Sequence, residues 1–114
     1  MQPPIFVEDE GSLLIFGSVE EAQGYLEPFD VKSVDIEIFD ADAKPIRAVV
    51  EPSNRWFGPS EHVKLVPVAD ASANPGRLRE LILRHLSQLK ISIASGDTVP
   101  LADLVELALR KSVK

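Results

Sequence analysis

Residues 34–51 read V-D-I-E-I-F-D-A-D-A-K-P-I-R-A-V-V-E, and their alternation decides the fold. Val34, Ile36 and Ile38 alternate with Asp35, Glu37 and Phe39. After a polar break at residues 40–44, Ile46, Ala48 and Val50 alternate with Arg47, Val49 and Glu51. A period of two sends one set of side chains to a core and the other to the opposite face. Two such runs joined by about five turn-prone residues predict an antiparallel hairpin. The remaining segments read as material paired beside this hairpin or packed onto it.

Upstream, Ile5 to Glu8 and Leu13 to Phe16 are short apolar runs on either side of Asp9-Glu10-Gly11-Ser12. Gly11 can supply a positive φ there, which predicts a first hairpin. Ser18 and Glu21 have capping-box spacing and open a helix with Val19, Ala22, Tyr25 and Leu26 on one side. Gly24 weakens that helix and Pro28 stops it after about two turns. Downstream, Pro52 to Ser60 is rich in proline and reads as a loop carrying Trp56 and Phe57. His62 to Val68 alternates again, and Pro67, which lacks an N–H, places that strand at a sheet edge or at its own end.

Asn74-Pro75 joins an N-cap to a proline at the first helical position. Leu78, Leu81, Ile82, Leu86 and Leu89 then share one face of a helix running to residue 89 or 90. Glu80 and Arg84 are spaced as an i,i+4 pair on it. Ser95-Gly96-Asp97 reads as a turn, and a last helix opens near Pro100. Its stripe is Leu101, Leu104, Val105, Ala108 and Leu109, with Leu107 outside. Strand-to-strand links too short for parallel crossovers predict an α+β fold in the order ββαβββαα. The expectation is an antiparallel sheet of about five strands with helices on one face. It is a single domain over residues 1–114, with a β-rich body at 1–68 and a helical tail at 74–112.

With 45% apolar and 26% charged residues the composition is that of an ordinary globular chain rather than a disordered one. The absence of cysteine excludes disulfides and thiolate metal sites. The opening M-Q-P-P-I-F-V-E-D-E lacks the basic and apolar regions of a secretory leader, and no apolar run reaches the roughly 20 residues of a membrane span. A cytoplasmic location and no membrane partner are therefore expected. The net charge of −6 is unevenly placed: residues 1–61 carry 13 acidic and 4 basic side chains, residues 62–114 carry 5 and 8. An acidic body repels nucleic acid and speeds encounter with cationic partners.

Catalytic and cofactor signatures are missing. There is no G-x-x-x-x-G-K-[ST], no G-x-G-x-x-G and no G-x-S-x-G. His62 and Glu61 are strand neighbours and point to opposite faces, so they form no dyad. His85 falls within the apolar stripe of the long helix and reads as a neutral core histidine. Asp40-Ala41-Asp42 lacks the third acid and the glycine of a calcium loop and reads as a hairpin turn. Arg77, Arg79, Arg84 and Lys90 form no single stripe; a solvated face or a surface paired with the acidic hairpin explains them. The expectation is no enzyme, no cofactor and no metal.

The run F-G-S-V-E-E-A-Q-G-Y-L-E-P-F-D-V at Phe16 to Val31 precedes the I-F-D-A-D-A-K-P-I-R hairpin. Together they resemble a group of small acidic bacterial proteins that share S-x-E-E-A-x-x-Y-L-E-P followed by an aspartate-bearing β-turn. Several of these resemble immunity proteins of interbacterial toxin systems. The resemblance spans residues 5–50, about 40% of the chain, and implies a cytoplasmic inhibitor without catalytic residues that blocks a cognate toxin. The class of toxin does not carry over.

The function expected from both lines is a non-catalytic protein-binding inhibitor. Its acidic surface would occlude a basic toxin domain such as a nuclease cleft. The contact residues expected are Asp35, Glu37, Phe39, Asp40, Asp42 and Glu51 on an open sheet face, with Trp56 as aromatic anchor. The alternative is a regulatory or scaffold module unrelated to toxins, self-associating through Leu107 and the last helix. A small-ligand pocket under the Trp56 loop is a third reading.

Overall fold

The first strand of the chain is an interior strand of the sheet, with a partner on each side. In the computed structural model, which describes residues 1–26, 36–55, 58–90 and 99–112, β1 (Ile5–Asp9) pairs with β2 (Ser12–Phe16) on one side and β3 (Ile36–Phe39) on the other. Strands β4 (Pro45–Arg55) and β5 (Gly58–Pro67) follow, giving the antiparallel order β2-β1-β3-β4-β5. The helices are α1 (Val19–Tyr25), α2 (Pro75–Gln88) and α3 (Leu101–Ser112). The fold is α+β in the order ββαβββαα, as the hydrophobic alternation requires.

Local chemistry sets the element ends. Glu10 (φ +50°) and Gly11 (φ +87°) form the two-residue turn that closes Asp9 against Ser12. Two positive φ values in succession match the right-handed twist of the flanking strands. Ser18 Oγ accepts the Glu21 N–H at 3.1 Å and caps α1. Glu21 Oε2 accepts the N–H of Gly17, one residue before the position a strict capping box would use. Asn74 Oδ1 accepts the Arg77 N–H at 3.2 Å and caps α2, with Pro75 beginning the helix.

Alternation along β1 divides the core in two. Phe6 packs with Leu13, Phe39, Leu78, Leu81, Ile82, Leu86, Leu104, Val105 and Ala108 beneath α2 and α3. Ile5 and Val7 pack with Ala22, Leu26, Ile38, Ile46, Val63 and Leu65 beneath α1. Helices therefore lie on both faces of the sheet rather than on one. The α1 helix touches β1, β2 and β5, although β2 and β5 are opposite edges. The sheet is thus curled about α1. Leu89 leaves the expected stripe: it is the C-cap of α2 and 45% exposed. Leu107, outside the expected α3 stripe, packs against the core beneath α2 and α3.

The largest departure is at residues 52–55 and 58–60, expected as part of a loop and found in β4 and β5. Backbone pairing runs without a break from Ile46↔Pro67 to Arg55↔Gly58 and includes Pro52↔Glu61 and Asn54↔Pro59. Parity explains how a strand tolerates these prolines. Val68 N–H donates to the Pro45 carbonyl, so Pro45 and every second β4 residue after it face β5 in hydrogen-bonded pairs. Pro52, Pro59 and Pro67 all fall in the intervening pairs, where an N–H would point away from the partner strand. Their missing donors cost the ladder nothing.

Candidate protein-binding surface

Glu37, Phe39, Arg47, Val49 and Glu51 do share one face, as alternation predicts, but α2 and α3 cover the β3 end of it. Phe39 is 6% exposed and belongs to the core under those helices. It offers no surface to a partner. Asp40 is 3% exposed and is consumed by the β3–β4 turn. Its Oδ1 accepts the N–H groups of Asp42 (2.9 Å) and Lys44 (3.0 Å), and its Oδ2 accepts that of Gln2 (3.2 Å). The Gln2 carbonyl in turn accepts the Ala41 N–H at 2.8 Å, so the carboxylate ties the start of the chain to the turn. Phe39 and Asp40 therefore drop out as contact residues, because burial removes both from reach. Asp42 is exposed at the same turn, and Asp35 and Trp56 lie outside the described residues.

Glu37 is occupied within the molecule. It stands directly across from Glu8 of β1, and two like charges so placed repel. Two arginines, two helical turns apart on α2, answer the pair. Arg77 grips Glu37 through both Nε, at 3.1 Å from Oε2, and Nη2, and Arg84 Nη2 lies 3.3 Å from Glu8 Oε1. Glu80 bonds Arg77 at 2.8 Å, so the expected Glu80–Arg84 pair gives way to these contacts. One acid each from β1 and β3 and two arginines of α2 thus join sheet to helix. The Arg77 hydrogen bonds hold the Glu37 carboxyl below its ordinary 4.5, with desolvation opposing. The Glu37 carboxylate is therefore held ionised at neutral pH and is unsuited to donate a proton.

That shift predicts an acid sensitivity. The unfolded chain takes up the Glu37 proton first as pH falls, so the stabilisation is full above 4.5 and is lost through and below that value. Glu37 is 41% exposed, so the effect is small, roughly 0.5 kcal/mol after solvent screening. Glu37→Gln should flatten the fall in melting temperature below pH 4.5. An unchanged slope would show that the ion pair is energetically idle.

His85, half-buried on α2, is held below its ordinary 6.5 by desolvation and is neutral at pH 7. Among the described residues no three His, Asp or Glu side chains converge as metal ligands do. No helix among them is long and apolar enough to cross a membrane.

What remains of the expected face is the β4–β5 ribbon. Among the described residues, only the first two of β4 pair with β3, at Phe39↔Pro45 and Ile38↔Ile46, while pairing with β5 continues for ten positions. On the side turned away from α1 the ribbon presents Arg47↔Val66, Val49↔Lys64 and Glu51↔His62. Arg47, His62 and Lys64 are exposed; Val49, Glu51 and Val66 are half-buried. His62 Nε2 lies 3.5 Å from Oε2 of Glu51, its cross-strand partner. The surface mixes both signs of charge around two valines, and no purely acidic face is assembled. Its signal in the sequence was the mirror placement of Glu51 and His62 about the hairpin tip, which only the register exposes. No family model matches the sequence, and neither the curated proteins nor the solved structures contain a match to it.

Proposed function

We propose that the protein is a non-catalytic inhibitor of another protein: an immunity protein, acting in the cytoplasm, whose partner is a basic toxin domain. The observation that carries this reading is the projecting β4–β5 ribbon, whose outer face combines Val49 and Val66 with Arg47, Glu51, His62 and Lys64. Apolar anchors inside a charged rim are the anatomy of a protein interface. The resemblance of residues 5–50 to immunity-associated proteins supports the toxin as the partner, and the net charge of −6 favours a cationic one. In this reading charge acts at long range, speeding encounter, while the ribbon makes the contact. Glu51 and Asp42 stay available as acidic contacts. Glu37 serves the fold instead.

The test is affinity capture of the tagged protein's partner from its source cells at low salt. One basic protein domain should be retained and then released as ionic strength rises. Val49→Asp with Val66→Asp should abolish retention while leaving the circular dichroism spectrum unchanged. Recovery of the bait alone, or retention indifferent to the two aspartates, defeats the proposal.

A further inference from the structure

The buried carboxylate of Asp40 gathers three residues around one cleft. The N–H groups of Gln2, Asp42 and Lys44 all end on it. The same three residues line a cleft of about 320 Å³, where the start of the chain meets the β3–β4 turn and the end of β5. Met1, Pro45, Ile46 and Pro67 complete its lining with apolar surface. The frame is stiff. Asp40 fixes the backbone of the polar residues, and the rings of Pro45 and Pro67 lock their own φ. Ile46 is paired on both sides, with Ile38 and with Pro67, and the Val68 N–H donates to the Pro45 carbonyl. Small-molecule sites have this character: a pre-formed hollow of roughly 300–1,000 Å³, largely apolar, with a few placed polar groups.

The charges on the rim decide what the cleft can hold. Asp42 and Lys44 are both exposed, and among the described residues neither side chain has a hydrogen-bond or ion-pair partner. A bare metal ion takes about six or more oxygens. Here it would find one free carboxylate, since Asp40 is already engaged by three N–H groups. A simple anion would gain Lys44 but would sit against Asp42, with Asp40 beneath. A molecule carrying both charges answers both, its ammonium on Asp42 and its carboxylate on Lys44. The uncharged remainder then lies along Met1, Pro45 and Pro67, where burial of apolar surface favours it.

We propose that this cleft binds a small zwitterion with an apolar side chain, in chemical terms a free α-amino acid. Asp42 takes the ammonium and Lys44 the carboxylate, while the Gln2 amide, which both donates and accepts, serves either. The cleft shares none of the six residues on the outer face of the ribbon. Asp42 alone is common to the two proposals, so they are tested apart.

The test is a titration of the isotope-labelled chain with free L-leucine, followed by the amide shifts of Gln2, Asp42 and Lys44. At millimolar leucine the three should move together along one saturable curve. Isocaproate, which is leucine without the ammonium, and isoamylamine, which is leucine without the carboxylate, should each bind about tenfold more weakly. Asp42→Asn and Lys44→Met should each weaken leucine by a similar factor. Both side chains are exposed and bond nothing in the fold, and circular dichroism checks that the variants remain folded. Val49→Asp with Val66→Asp should leave leucine binding unchanged, which separates this site from the surface assigned to a protein partner. Absence of a saturable shift at those amides, or binding of either one-charge analogue as tight as that of leucine, overturns the proposal.

Discussion

Phe6→Ala should remove about 4 kcal/mol of folding stability, read from urea denaturation. Phe6 is fully buried on an interior strand, directly between Ile15 of β2 and Phe39 of β3. Above it lie the buried faces of α2 and α3, with Leu78, Leu81, Ile82, Leu86 and Leu104 in the same cluster. Loss of the ring removes its transfer free energy and leaves a cavity whose walls belong to three strands and two helices. A site fixed from so many directions collapses poorly, which puts the cost at the upper end of the range for aromatic truncation. A domain of this size commonly has about 5–15 kcal/mol in hand, so the variant sits near the limit of folding at all. Phe6→Leu, which refills most of the space, should recover more than half of the loss. A cost below about 1.5 kcal/mol would mean that α2 and α3 settle into the gap, and that the two-layer packing is softer than argued.

Asp40→Ala should cost about 3 kcal/mol, an unusual sum for one small polar residue. Its carboxylate accepts three backbone N–H groups, from Gln2, Asp42 and Lys44, at a site with almost no exposure to water. Alanine leaves those donors without their acceptor, and a buried donor so stranded costs about 1–3 kcal/mol. Ala43 in the same turn adopts a left-handed φ of +62°, a conformation that a non-glycine residue holds only when its surroundings insist. Without Asp40 that insistence weakens. Asp40→Asn keeps one acceptor oxygen but turns an amide N–H₂ toward one side of the cluster, so it should fall between aspartate and alanine. Thermal denaturation of the three chains gives the ranking. Equal stability of Asp40→Ala and the wild type would mean that water replaces the carboxylate, and that the segment at Gln2 does not depend on it.

The sequence carried the fold further than it carried the site. Val34–Glu51, Asn74-Pro75 and the terminal Pro67 each have one dominant reading, because period-two alternation, an N-cap followed by proline, and a missing donor are local facts. Pro52 and Pro59 misled for the opposite reason. A proline inside a strand is forbidden or harmless according to which neighbour its nitrogen faces, and that depends on a register fixed many residues away. Phe39 alternates in phase with Asp35 and Glu37 and so looked outward. It is buried because β1 brings Phe6 beside it and α2 comes down over both. Along its own helix Arg84 read as the partner of Glu80, and the arginines together as a solvated face or one paired with the acidic hairpin. Their meaning lies in the Glu8↔Glu37 juxtaposition, which exists only after β1 and β3 have paired. What stayed illegible was relational: two faces to cover, and two acids to be answered.

The interior place of β1, between β2 and β3, also bears on how the chain comes off the ribosome. Synthesis delivers β1 and β2 first, and their tight turn lets that hairpin form early. The strand that completes the other side of β1 arrives only when Phe39 has been made, and the helices that bury Phe6 come later still. During that interval the nascent protein shows Ile5, Phe6 and Val7 along an open edge, the arrangement most prone to wrong partners. A chaperone that shields this one hairpin until residue 39 has emerged would keep that edge from wrong partners.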